Sequence, residues 1–387
     1  MFPERGEQEE EPTMKIAAVT PFTVSYPEPN DNNNTRYLTF CRVDAEDGTT
    51  GWGEAISQFA ESTRATAALV EGMAQYVVGQ SAMDNVAIWR AIKAGSWWYG
   101  WHGGVASLAI SAIDVALWDL KGKLLGVPLI DLLGGASRDR LPVIASTHVF
   151  DPSLAVEAGR HGRYVREQGY QGVKVGMGKK GGARIGYDLA RDVEFVRLLR
   201  EAIGPGAMLM MDRGQSLRWT VADAIRRTNA FEEYGLTWIE EPLEPSDLAG
   251  FEKLRPHVKC LVATGEREFD ARGYRDFIAS GVVDVVGCDV GRAEGITGAL
   301  KVIELVEAYD VWFNSHAWSS AVNTAASIAL SAYTPRCLLQ ELKPEPNPMQ
   351  DELVTEPFRQ RDGYIEVPRR PGLGVEVRMD TLEKYAF

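Results

Sequence analysis

The sequence predicts an α/β protein in which an α+β segment precedes a closed parallel (β/α) barrel. From Arg140 to Glu341, eight short apolar runs alternate with amphipathic helical stretches. Lys174, Asp212, Glu240, Glu266, Asp289 and His316 stand at the C-terminal ends of six successive runs, about one βα unit apart. Parallel strands need right-handed helical crossovers. Closing such a sheet gathers the strand ends, however distant in sequence, around one mouth. A doubly wound open sheet fits less well, because the ionisable residues spread over many strand ends.

The elements follow in order. Residues 1–13, MFPERGEQEEEPT, are acidic with almost nothing to bury, which predicts a disordered tail; they lack the basic and apolar regions of a signal peptide. MKIAAVTPFTVSY and RYLTFCRVDAEDGTTGWGEA read as strands, with EDGTTG turning a hairpin. STRATAALVEGMAQYVVG and GVASLAISAIDVALWDLKGKLLG read as helices. In the second, Leu108, Ile110, Ile113, Val115, Leu117, Trp118 and Leu120 surround much of the axis, so it should be well buried. The barrel strands are LPVIAST, GYQGVKVG, AMLMMD, LTWIE, KCLVATGE, VDVVGCD, VWFNSH and CLLQE. The tail 342–387, rich in Pro and turns, is expected to leave the barrel and pack back against the first segment.

Bulk composition narrows the function classes. The chain has 387 residues, 45% hydrophobic and 25% charged, which is ordinary for a globular protein with room for two domains. No apolar run is long enough to suggest a membrane span. A formal charge of −13 argues against nucleic acid and anionic membranes as partners. Four scattered cysteines without a CxxC pair read as reduced core thiols of a cytoplasmic protein. Five histidines without HxH or HExxH argue against a zinc hydrolase.

Asp212, Glu240 and Glu266 would supply hard oxygen ligands that suit Mg²⁺ or Mn²⁺. One strand-end acid could simply cap a helix; three in register would repel one another without a cation. Glu241 should point away from Glu240 if the pleat persists, as a salt-bridge acceptor. His316 with Asp289 on the adjacent strand suits a general base whose tautomer a carboxylate fixes. Lys174 can bind a substrate carboxylate, act as a base, or neutralise the neighbouring acids. Glu341 can donate a hydrogen bond to an enolate if protonated, although the adjacent Gln340 competes for the inward position.

WIEEP, MMDRGQ, TGERE and the Asp289–His316 pair together resemble the mandelate racemase subgroup of the enolase superfamily. The resemblance implies a capping domain over 14–139, a modified (β/α)8 barrel of (β/α)7β type over 140–341, and a C-terminal return over 342–387. It further implies Mg²⁺ on Asp212, Glu240 and Glu266, a His316–Asp289 base, an enolate-stabilising Glu341, and Lys174 as the first Lys of a Lys-x-Lys motif. A symmetric homo-oligomer is expected on the same ground. The chain departs from the motif, reading Lys174–Val175–Gly176. The second base is absent, which removes half of a two-base racemisation. His148 in IASTH, Lys179, Lys180 and Tyr187 are the candidates to replace it.

A single base still suits β-elimination: His316 takes the proton α to a carboxylate, then protonates the departing 3-hydroxyl on the same face. The expected activity is therefore a Mg²⁺-dependent sugar-acid dehydratase, a lyase acting on an aldonate or aldarate through an enediolate. Racemisation, epimerisation or cycloisomerisation of a carboxylate on the same scaffold is the alternative, and an idle metal-stabilised binding protein the rival of another class. The amide-rich PEPNDNNNTR, the loop GWGEAISQFAESTR and the aromatic GSWWYGWHGG are candidates to cover the mouth, although the Asn run also suits a solvated loop and the aromatics suit the core or a subunit interface better. Arg36, Arg64 and Arg213 are candidates to clamp a second carboxylate.

Overall fold

A computed structural model describes residues 14–387, so the predicted acidic tail lies outside the described residues. Strands β1 (Ile16–Glu28), β2 (Asn34–Ala45) and β3 (Thr50–Ala55) form an antiparallel sheet in that order. A 3₁₀ turn, Pro29–Asp31, joins the first two, and Asn32 and Asn33 follow at φ 55° and 56°. Asparagine tolerates this left-handed region better than most residues. Much of the amide-rich segment is thus spent on turning the hairpin.

The helix Val105–Leu125 lies on this sheet, and every residue from Ala106 to Leu120 is buried. The close approach depends on two glycines of β3. A Cβ at Gly53 would fall 2.0 Å from the carbonyl oxygen of Ala112, and one at Gly51 would fall 2.2 Å from that of Ala116. Because the obstructing atoms are backbone, the helix itself would have to move. Gly53→Val is expected to cost about 3 kcal/mol, measurable as a lower denaturant midpoint; an unchanged midpoint would mean the helix slides freely on the sheet.

The barrel comprises β4 (Arg140–His148), β5 (Gly172–Gly176), β6 (Met208–Asp212), β7 (Trp238–Glu240), β8 (Leu261–Thr264), β9 (Val285–Cys288), β10 (Trp312–Ser315) and β11 (Gln340–Leu342). Neighbours pair in parallel from β4 through to β10, and β11 pairs with β4. Between β10 and the segment before β11 the pairing shrinks to a Phe313–Cys337 bridge, with Phe313 N donating to Arg336 O at 3.0 Å, so the ring is nearly closed. The predicted strand CLLQE is therefore regular only at its end. A helix follows each of the first seven strands, whereas β11 leads through a single helical turn, Pro348–Asp351, to β12 (Tyr364–Glu366), antiparallel to β4. This is the (β/α)7β arrangement beside a small antiparallel cap.

Side chains two apart share a face of a strand. Ile144, Met210, Trp238, Ala263, Val285 and Leu339 fill the barrel interior as a separate buried cluster. The next inward position after Met210 is Asp212, and after Trp238 it is Glu240. Apolar packing at one level thus fixes where the carboxylates stand at the next. Among the described residues no helix is long and apolar enough to cross a membrane. All four cysteines are unpaired and buried.

Candidate active site

Asp212 ends β6, Glu240 ends β7, and Glu266 follows β8 by two residues, past Gly265 at φ 124°. Each offers a carboxylate oxygen within 4.8 Å of the others. Burial, with Glu266 beside it, pushes Asp212 up to about 6. Burial outweighs the attraction of Lys174 and pushes Glu240 up to about 8. His316 and Lys174 outweigh burial and hold Glu266 below the usual carboxylate range, whereas Asp212 and Glu240 resist ionisation, and a divalent cation would relieve this. The all-oxygen donor set fits Mg²⁺ or Mn²⁺.

Lys174 sits in the middle of β5 rather than at its end, two residues before Gly176. Its Nζ reaches Glu240 Oε1 at 2.8 Å and Glu341 Oε1 at 2.9 Å. Burial alone would lower this lysine, but Glu240, Glu341, Asp212 and Glu266 hold it well above its ordinary value. It is a cation, and proton abstraction by it would need the neutral amine. Glu341 does face inward, while Gln340 bonds Ser331 outside. Burial opposes its charge, yet Lys174 and His316 keep its carboxyl below the usual range. It accepts from Lys174 and, at 2.6 Å, from Asn314 Nδ2. In this structure Glu341 accepts from Lys174 and so anchors it.

His316 directly follows β10, and its Nδ1–H donates to Asp289 Oδ2 at 2.6 Å. Its Nε2 lies 3.3 Å from Glu266 Oε2. Burial works against the imidazolium, but Glu266 and Asp289 raise His316 to about 9. A cation on Glu266 would cancel much of that attraction and return the ring toward the neutral form a base requires. Asp289 Oδ1 accepts from Gly291 N at 2.8 Å and from Asn323 Nδ2 at 3.0 Å. Asn323 N in turn donates to Glu54 Oε2 of β3 at 3.2 Å, so the cap helps to orient the dyad.

These groups open into a cavity of about 730 Å³ at the C-terminal ends of the strands. From the cap, Asp31, Asn34, Arg36, Ile56, Gln58 and Phe59 border it, so parts of both expected covering loops reach the mouth. The aromatic run does not. Trp97, Trp98, Tyr99 and Trp101 are exposed and absent from the lining. The indole that does line it is Trp318, two residues past His316, with the Arg36 guanidinium 4.5 Å from its ring. That spacing was the available signal in SHAW, and the composition of GSWWYGWHGG drew attention elsewhere.

Among the candidate clamps, Arg36 borders the cavity and is paired with Asp31 at 3.1 Å. Arg213 cannot serve, since its guanidinium donates to the backbone carbonyls of Glu241, Leu217 and Leu243. Arg64 packs over Phe387, away from the cavity. Of the possible replacements for the missing second base, Tyr187 lies outside the lining and bonds Ser216 at 2.9 Å. Lys179 is tied to Asp31 at 3.2 Å, Lys180 stands exposed at the rim, and the His148 ring packs against Gly176. Glu241 turns away at φ 41° and takes Arg267 at 2.5 Å.

Residues 17–134 match the mandelate racemase / muconate lactonizing enzyme N-terminal domain, and residues 157–381 match the enolase C-terminal domain-like family. The chain belongs to the mandelate racemase subgroup of the enolase superfamily. Within that subgroup, D-gluconate dehydratase of Thermoproteus tenax is 31% identical over 375 residues, covering 94% of this chain and 72% of that protein. D-galactarolactone cycloisomerase of Agrobacterium fabrum is 28% identical over 353 residues, 89% of each. Among solved members, a racemase from Streptomyces coelicolor A3(2) with bound magnesium superposes with a TM-score of 0.85 at 28% identity. It covers 96% of this chain and 100% of that one.

Proposed function

We propose that this member of the subgroup is a lyase that dehydrates a sugar acid, an aldonate or aldarate, to a 2-keto-3-deoxy acid. The observation that carries the reading is a single oriented base. His316, fixed by Asp289, aims Nε2 at the carboxylate cluster, while Gly176 offers no side chain where a second base would be needed. A divalent cation on Asp212, Glu240 and Glu266, Mg²⁺ with Mn²⁺ as the substitute, would hold the substrate carboxylate and offset the negative charge growing on it.

His316 Nε2 takes the α-proton as the C–H bond breaks, and Asp289 stabilises the resulting imidazolium. Lys174, a cation beside the cluster, meets the enediolate charge, with Glu341 holding it in place. The same imidazolium then gives its proton to the 3-hydroxyl, which leaves as water when the C–O bond breaks; the enol product becomes the 2-keto acid. Base and acid being one group, the elimination is syn. Gln58, Asn34 and Arg36 offer hydrogen bonds to the rest of a polyol chain.

The reading carries with it a cytoplasmic homo-oligomer without nucleic-acid or membrane partners. The net charge of −13 and four unpaired buried thiols support that setting.

A panel of mono- and diacid sugars with Mg²⁺ in deuterium oxide tests the reaction. The expected result is 2-keto acid formation with loss of water, abolished by EDTA and restored by Mg²⁺. A product of unchanged composition would instead favour isomerisation, the alternative that the cycloisomerase relative supports, and would overturn the dehydratase reading.

A further inference from the structure

We propose that His148 is a substrate-contacting residue, an imidazole that stands in the space left by Gly176 and orients a hydroxyl of the sugar acid. The inference rests on the dehydratase reading and deepens it.

His148 ends β4 in register with Gly176 of β5. A Cβ at Gly176 would lie 2.2 Å from His148 Nδ1 and 2.8 Å from its Cε1, so any side chain there excludes the ring from its present position. The absent lysine and the present histidine are therefore one feature. The ring lines the cavity together with Lys174, Asp212 and His316. Trp318 closes its other side, with centroids 4.8 Å apart, and Phe150 stands at 6.2 Å.

Both ring nitrogens are shielded in this structure and neither has a hydrogen-bond partner among the described residues, so a turn of the ring is what presents one of them to the cavity. Buried imidazole nitrogens usually find partners, since leaving them unmatched is costly. A neutral imidazole has one donor and one acceptor, and a hydroxyl can answer either. Burial, then Lys179, Arg36, Lys174 and Arg160 around it, hold His148 well below the ordinary imidazole value. A ring kept neutral is a poor proton source for a departing hydroxyl and a reluctant base, which leaves both proton transfers to His316.

The test compares wild type with His148→Phe, His148→Gln, Gly176→Ala and the Gly176→Ala/His148→Phe double variant. The probe is the panel acid with the highest wild-type kcat/KM. His148→Phe is expected to lower kcat/KM at least tenfold, mainly through KM, with Mg²⁺ affinity by calorimetry unchanged. His148→Gln, which keeps a donor and an acceptor, should recover at least threefold of that loss. Gly176→Ala should reproduce the loss by displacing the ring, and the double variant should show no further loss, because both changes remove one contact.

Wild-type kinetics in His148→Phe would overturn the proposal. So would a loss that His148→Gln does not relieve and that a falling melting temperature accompanies, the mark of a packing role alone. If no panel acid turns over, the dehydratase reading has failed independently. Calorimetric binding of D-gluconate and the other panel acids in the presence of Mg²⁺ then decides: weaker binding to His148→Phe supports the contact, and equal or absent binding rejects it.

Discussion

Replacing His316 with asparagine is expected to lower kcat about a thousandfold, the scale of a lost general base. Mg²⁺ affinity should stay the same or tighten slightly. His316 is not among the three clustered carboxylates, and at 3.3 Å from Glu266 its positive form competes with a cation for that group. Asparagine can still donate toward Asp289, so the carboxylate is not left without a partner. Turnover by 2-keto acid formation, alongside a calorimetric metal titration, separates the two effects. Near-normal turnover in His316→Asn would remove the base from the mechanism. A parallel collapse of metal binding would mean the ring supports the acidic cluster structurally.

Lys174→Met should damage stability as much as activity. The ammonium is buried between Glu240 and Glu341, at 2.8 and 2.9 Å, with Asp212 and Glu266 also acting on it. Removing one partner of a buried ion pair leaves charge without compensation, a loss of about 3–5 kcal/mol. The penalty should be largest in EDTA and smaller with saturating Mg²⁺, since a cation on Glu240 and its neighbours takes over part of the neutralisation. Denaturant midpoints of both proteins in the two conditions provide the measurement. Equal midpoints for wild type and variant in EDTA would show that Lys174 does not hold the acids together.

The barrel and its carboxylate cluster were legible because two simple periodicities coincide there. Strand–helix alternation gives the layout, and the two-residue pleat puts Asp212 above Met210 and Glu240 above Trp238. Glu266 was found for a looser reason: β8 stops at Thr264, and Gly265 at φ 124° carries the next carboxylate toward the same spot. What the sequence concealed depends on contacts between distant segments. Arg213 resembled a ligand clamp until its guanidinium proved to be spent on three backbone carbonyls. The Trp97–Trp101 run suited a lid, the core or a subunit interface, and nothing local says that this segment points away from the mouth. Glu341 faces inward, and its partner Lys174 stands on a strand far away in sequence.

The tail runs along the cap's first strand. Ser25 N donates to Tyr385 O at 2.9 Å, Phe387 N donates to Thr23 O at 3.0 Å, and Val24 bridges Ala386. The Thr23 hydroxyl also reaches Phe387 O across 364 residues of chain. Contacts of such long range form late, because most of the polypeptide must already be ordered before they are favoured. The margin of β1 around Thr23 and Ser25 therefore gains its partner only after the intervening barrel has brought residues 385–387 back to it.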